Sequence, residues 1–174
     1  WVLSTNTDMI FLPKNTESLS ENVRNLASGY YVAPRFELPE TIWEAFSRAE
    51  PRQIIEELSY LGKAIQIEEK VYTQNLFDAP GDFQLIEREV LTSVNGFDED
   101  MIYGWHVDSN IGRRMELYHN RICDGSILLD GYHCDHTRQI TAAHKSGAVQ
   151  NDILQFVNEI DTDKIVLSNL NWGL

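Results

Sequence analysis

Apolar positions along the chain fall into short blocks separated by polar breaks, and the spacing inside each block sets the element it predicts. Trp1 to Ser4 and Met9 to Leu12 are largely apolar on either side of Thr5 to Asp8, which predicts a buried strand leading into a polar turn. Pro13 interrupts the pattern. From Thr16 to Ser28, Leu19, Val23 and Leu26 recur at helical spacing with Gly29 as a stop, so a helix is expected, followed by a strand over Tyr30 to Pro34. Pro39 to Ala49 and Pro51 to Leu61 both read as helices, joined by the turn Ala49-Glu50-Pro51. In the second, Ile54, Ile55, Leu58 and Leu61 form the expected buried face. Ile65 to Asn75 holds two short candidate strands among many charges. Residues 35–75 are therefore expected to be a variable helical insertion or lid over one side of a sheet.

Beyond Phe77 the pattern predicts a strand over Asp82 to Glu87, a helix over Arg88 to Val94, and a stop at Asn95-Gly96. A helix over Trp105 to Tyr118 carries Val107, Ile111, Met115 and Tyr118 on one face. Ile127-Leu128-Leu129 reads as a short strand, with Tyr132-His133-Cys134-Asp135-His136 after it, and a last helix is expected from about Ala142 to Asn158. Strands interleaved with helices give an α/β class, and 174 residues with 43% hydrophobic content suffice for a single domain over 1–174.

Charge narrows the function classes. The formal charge is -13, from 14 basic and 27 acidic residues, and no Lys/Arg stripe is present, so nucleic acid is not an expected partner. A negative chain still binds a nucleotide diphosphate where a divalent cation stands between carboxylates and phosphates. Cys123 and Cys134 fit no metal motif and are expected to be reduced and structural. No stretch approaches the roughly 18 apolar residues of a membrane span, and no signal peptide is visible. The first residue is Trp, already inside an apolar run, so the chain is expected to be part of a longer fold.

Three polar groupings are candidates for chemistry. In Asn6-Thr7-Asp8, the Asp8 carboxylate can coordinate a hard divalent ion while Asn6 offers an amide oxygen or a bond to a ribose or water; both residues are also ordinary turn formers. In Gly81-Asp82-Phe83, Gly81 permits close approach of backbone to a ligand and Asp82 can accept from sugar hydroxyls, although Pro80-Gly81 is also a plain turn. Trp105-His106-Val107-Asp108 opens a helix. The positive helix end keeps Asp108 ionised, suited to take a proton from an incoming hydroxyl, and Trp105 offers a flat surface for a sugar ring. The alternative is that Asp108 caps free amides and Trp105 is core. His133 and His136 flank Asp135, and either could join Asp8 in a mixed nitrogen and oxygen metal site, but a third ligand at zinc spacing is missing.

The order of these features resembles nucleotide-sugar-dependent glycosyltransferases of the GT-A fold, close to the family 2 type and to bacterial enzymes of surface-polysaccharide synthesis. The resemblance covers Trp1 to Leu12 and Phe77 to His136. It implies a partial GT-A, nucleotide-diphospho-sugar transferase-like mixed sheet flanked by helices. It also implies transfer, in inverting fashion, from a nucleotide-diphosphate sugar donor to a glycan or lipid-linked acceptor. Asn6-Thr7-Asp8 then takes the place of Asp-x-Asp, with Asp8 holding Mn²⁺ or Mg²⁺ near the donor diphosphate. Gly81, Asp82 and Phe83 lie beside the transferred sugar and acceptor, Trp105 lines the acceptor side, His106 belongs to the substrate-binding set, and Asp108 is the general base. Arg114 faces the diphosphate, and His133 or His136 adds a metal or phosphate contact.

The implied location is cytoplasmic or peripheral to the inner membrane, with homo-oligomer association as a further option. Two positions depart from the family pattern: Asn6 replaces its first Asp, and His106 or Val107 replaces the first member of the helix's acidic pair. The family's nucleotide-binding strands precede Asp-x-Asp, so this chain alone is expected to show little transfer. The alternative reading is a non-catalytic carbohydrate-binding or scaffolding module derived from the same fold, and a metal-dependent hydrolase is third.

Overall fold

Alternation of inward and outward side chains builds two sheets that share one apolar layer. The computed structural model of the chain describes residues 1–15, 18–46, 48–61, 69–70, 81–102, 106–135 and 164–167. Trp105, His136, most of Ile65 to Asn75 and the expected helix over Ala142 to Asn158 lie outside the described residues. The strands are β1 (Val2–Ser4), β2 (Met9–Pro13), β3 (Tyr31–Val32), β4 (Arg35–Leu38), β5 (Glu69–Lys70), β6 (Gln84–Ile86), β7 (Cys123–Asp124) and β8 (Leu129–Cys134). The helices are α1 (Leu19–Val23), α2 (Glu40–Phe46), α3 (Pro51–Leu61), α4 (Arg88–Ser93) and α5 (Val107–His119).

One sheet runs β1-β6-β3-β7 and the other β2-β8-β4-β5. Both are open and mixed: β3 is antiparallel to β6 but parallel to β7, and β8 is antiparallel to β2 but parallel to β4. The result is an α/β architecture of two mixed sheets flanked by helices. At Thr5 to Asp8, at Ala33-Pro34 and at Gly125 to Leu128 the chain leaves the first sheet and enters the second.

Three apolar clusters follow from the alternation. On the outer face of the first sheet, Tyr30 and Ile86 meet Val90 and Val94 of the α4 segment and Ile111 and Met115 of α5. Phe83 and Leu85 point the other way, into a layer with Tyr31, Ala33, Leu128 and Leu129, against which Phe11 and the α1 residues pack. On the outer face of the second sheet, Leu12, Leu38 and Tyr132 meet Phe46 of α2 and Leu58 of α3.

Several elements differ from the sequence expectation for local reasons. Polar Thr5 to Asp8 does not end one strand but carries the chain between sheets. Residues 35–38 are a strand, because Arg35-Phe36-Glu37-Leu38 alternates with period two and Phe36 and Leu38 both face the third cluster. In α3 the buried stripe is Ile54, Leu58 and Leu61, whereas Ile55 is 44% exposed, one residue and so about 100° around the helix from Ile54. Helix α1 spans only Leu19–Val23, yet Leu19, Val23 and Leu26 still cover the inter-sheet layer. Gly125–Ile127 is a 3-10 turn, which leaves Ile127 exposed and starts β8 at Leu129. Among the described residues, no helix is long and apolar enough to cross a membrane.

Candidate metal and carboxylate site

The site lies where one face of the second sheet changes from apolar to charged. Register puts Phe11 opposite Gly131 and Met9 opposite His133, with Arg35 and Glu37 beside Gly131 and His133 on the other flank of β8. Side chains of this face alternate with those of the third cluster, so Leu129 and Phe11 belong to the inter-sheet layer. Further along the same face come Arg35, Glu37 and His133. Cross-strand neighbours sit close enough to bond directly. His133 Nδ1 is 2.6 Å from Glu37 Oε2.

Asp8 reaches the same imidazole from the crossover. Its backbone carbonyl accepts from the Cys134 amide at 2.9 Å, which extends the β2–β8 pairing by one step. That bond sets Asp8 Oδ2 3.3 Å from His133 Nε2. Asp135 is positioned in turn by its own amide, which donates to the Leu38 carbonyl at 2.9 Å.

Glu37, His133 and Asp135 each offer a ligand atom, all within 4.8 Å of one another. One imidazole nitrogen with carboxylate oxygens is a donor set able to coordinate a divalent metal ion. The 3.3 Å between Asp8 and His133 is long for a hydrogen bond. Asp8 and Glu37 stand at opposite nitrogens of the ring, so with an ion on the Glu37 side Asp8 faces the other nitrogen and orients the imidazole, as carboxylates do for metal-bound histidines.

Arg35 carries the network onward to the first sheet. Its Nη2 lies 2.9 Å from Glu37 Oε1 and its Nη1 2.5 Å from Asp82 Oδ2. Asp82 is only 3% exposed; its other carboxylate oxygen accepts from Asn6 Nδ2 at 2.7 Å and its backbone carbonyl from Thr5 Oγ1 at 2.6 Å. Asn6 is thus turned toward Asp82, and the crossover from β1 to β2 is pinned to the loop before β6.

Asp108 stands on the far side of that loop. Its Oδ2 accepts from the Gly81 amide at 2.9 Å and its Oδ1 from Ser109 N at 2.9 Å, while its backbone carbonyl accepts from buried Gln84 Nε2 at 2.9 Å. A Cβ on residue 81 would lie 3.2 Å from Asp108 Oδ2, so the glycine permits the close approach of backbone to this carboxylate. Burial pushes the Asp108 pKa above its ordinary 3.8 and the Asp82 charge adds to the rise, outweighing the amides of Ser109, Gly81 and Asp108 itself, which lower it. The helix-end argument for a readily ionised Asp108 therefore gave only the smaller of two opposing effects.

The structure connects Asn6, Asp8, Gly81, Asp82, Asp108 and His133 through these contacts. Phe83 and Arg114 are engaged elsewhere. Phe83 is 1% exposed and packs edge-on against Phe11 in the inter-sheet layer. Arg114 is 2% exposed and donates to the carbonyls of Val94 and Gly96, which close the end of α4. His106 precedes α5 with φ 68°, and its carbonyl accepts from Asn110 N at 2.8 Å. Arg35, Glu37 and Asp135 are cluster members that sequence reasoning missed. Their signal was the period-two alternation: charges at 35 and 37 share a strand face, and 133 and 135 share another once the strand is extended to them. No protein-family model, curated protein or solved structure matches this chain.

Proposed function

We propose that the chain is the metal-site and acceptor-side part of a GT-A-type glycosyltransferase, moving a sugar from a nucleotide-diphosphate donor to a glycan or lipid-linked acceptor. The observation that carries this reading is the unbroken run of contacts from Asp8 through His133, Glu37, Arg35 and Asp82 to the loop that holds Asp108. It supports a cation-binding pole and a basic pole kept at fixed separation, which a displacement at an anomeric carbon requires.

Glu37, His133 and Asp135 would hold Mn²⁺ or Mg²⁺, with Asp8 at the opposite nitrogen of the same imidazole. The ion would offset charge on the departing diphosphate. Asp108 accepts the proton of the acceptor hydroxyl as the new C–O bond forms and the bond to the diphosphate breaks. A carboxylate held above its ordinary pKa is a stronger base for that step, provided the pH keeps it ionised. Asn6 and Thr5 hold the Asp82 loop, and Gly81 aims Asp108.

The test is titration of the native polypeptide with Mn²⁺ and nucleoside diphosphates, followed by its sugar-nucleotide turnover with Asp108 intact and as Asp108→Asn. Metal-dependent nucleotide binding that survives Asp108→Asn, with turnover lost, is expected. Equal loss of binding and rate assigns Asp108 a structural role, and no metal-dependent nucleotide binding removes the reading altogether.

A further inference from the structure

Arg35 has no place in the motifs from which the reaction is read, yet it joins the cation-binding pole to the Asp82 loop. Its guanidinium forks, with Nη2 on Glu37 Oε1 at 2.9 Å and Nη1 on Asp82 Oδ2 at 2.5 Å. Glu37 is committed in two directions, since its other oxygen lies 2.6 Å from His133 Nδ1. A carboxylate that serves a divalent ion while a guanidinium remains on it brings two positive charges close together in a half-buried setting, where screening is weak. Either the ion or Arg35 dominates at Glu37.

We infer that Arg35 is a resident counter-ion that yields Glu37 to an incoming divalent cation and then binds an anionic phosphate group of the donor. The inference rests on the proposed metal site and adds to it the residue that links cation binding to diphosphate binding. Asp82 keeps its hold through Nη1, so Arg35 pivots and stays in the site. The released Nη2 edge presents donors in the planar fork that matches phosphate oxygens, a geometry an ammonium group does not offer. Cation binding thus precedes diphosphate binding, and the two are positively coupled.

The experiment measures Mn²⁺ binding by electron paramagnetic resonance and inorganic diphosphate binding by calorimetry, with and without Mn²⁺, on the full chain as wild type, Arg35→Met and Arg35→Lys. Wild type is expected to bind diphosphate only with Mn²⁺ present. Arg35→Met is expected to bind Mn²⁺ roughly three- to tenfold more tightly, because a competing cation is gone. It is expected to bind diphosphate about tenfold or more weakly, because a charge-assisted fork is gone. Arg35→Lys keeps the buried positive charge where the methionine variant fails to fold; it should show the same two changes in reduced size, since one ammonium does not span both carboxylates. Unchanged or weaker Mn²⁺ binding in the folded variants overturns the exchange and leaves the metal site standing. Unchanged diphosphate binding overturns the phosphate role. Absence of Mn²⁺ binding by wild type overturns the metal site and this inference together.

Discussion

Asp108 has both hydrogen-bond donors and a desolvated setting, and burial is the larger influence on its carboxyl. The folded chain therefore binds that proton more tightly than the unfolded chain does. Its contribution to stability is full below the unfolded value of 3.8 and falls as pH rises through the interval up to the raised folded value. Asp108→Asn removes this ionisation. The stability of the variant relative to wild type should increase as pH rises from 3.8 toward the raised folded value in urea unfolding, and a flat difference would show that Asp108 is not held above its ordinary range. For the proposed transfer reaction, the acid limb of the rate profile should likewise fall above 3.8. Gly81→Ala places a Cβ 3.2 Å from Asp108 Oδ2, so the carboxylate must shift by a few tenths of an ångström. The expected result is a native-like melt with turnover lowered about tenfold, since reacting groups tolerate little displacement; unaltered turnover would relieve Asp108 of a role in the chemistry.

Helix α3 shows how an element is fixed by one stripe of side chains. Leu58 is fully buried against the second sheet, while Ile55, from the same apolar pattern, is 44% exposed. Leu58→Ala should cost about 2–5 kcal/mol in denaturant unfolding, through lost transfer free energy and the cavity left behind. Ile55→Ala should change stability by less than about 1 kcal/mol. Equal costs would mean that α3 packs on a different face. Strand β4 has the same logic with period two: Phe36 and Leu38 anchor it to the third cluster, and that anchoring delivers Arg35 and Glu37 to the site. A helical reading of the segment from residue 35 overlooked four residues whose alternation was visible, because the helices at Glu40–Phe46 and Pro51–Leu61 dominated the pattern around them.

At the scale of the whole molecule, the two sheets hold opposite ends of one charged network. Asp8, Glu37, His133 and Asp135 come from the second sheet and its margins; Asp82 and Asp108 belong to the first sheet and the helix on it. A cation bound to the folded state alone should raise the melting temperature. At a concentration one hundred times the dissociation constant the stabilisation is about 2.7 kcal/mol. For a chain of 174 residues that is roughly 5–10 °C. Differential scanning calorimetry with Mn²⁺ should show this rise, and His133→Ala should abolish it. A rise that persists in His133→Ala would locate cation binding elsewhere on this acidic chain.

The sequence by itself determined the α/β class, the limits of α3, the strands around Met9 to Leu12 and Gln84 to Ile86, and the polar stretches from which the candidate residues come. Those features depend on periodicity and on local turn chemistry, both of which are written in neighbouring residues. Tertiary structure alone decided that the chain passes between two sheets at Thr5 to Asp8. It also decided that Glu37 stands opposite His133, and that Arg35 joins Glu37 to Asp82 across 47 positions of sequence. Strand register and the crossing of the chain between sheets bring distant residues together, and neither leaves a periodic trace in the residues concerned. The balance at Asp108 has the same origin. A helix start is legible in the chain, but the desolvation that opposes it is set by what packs above.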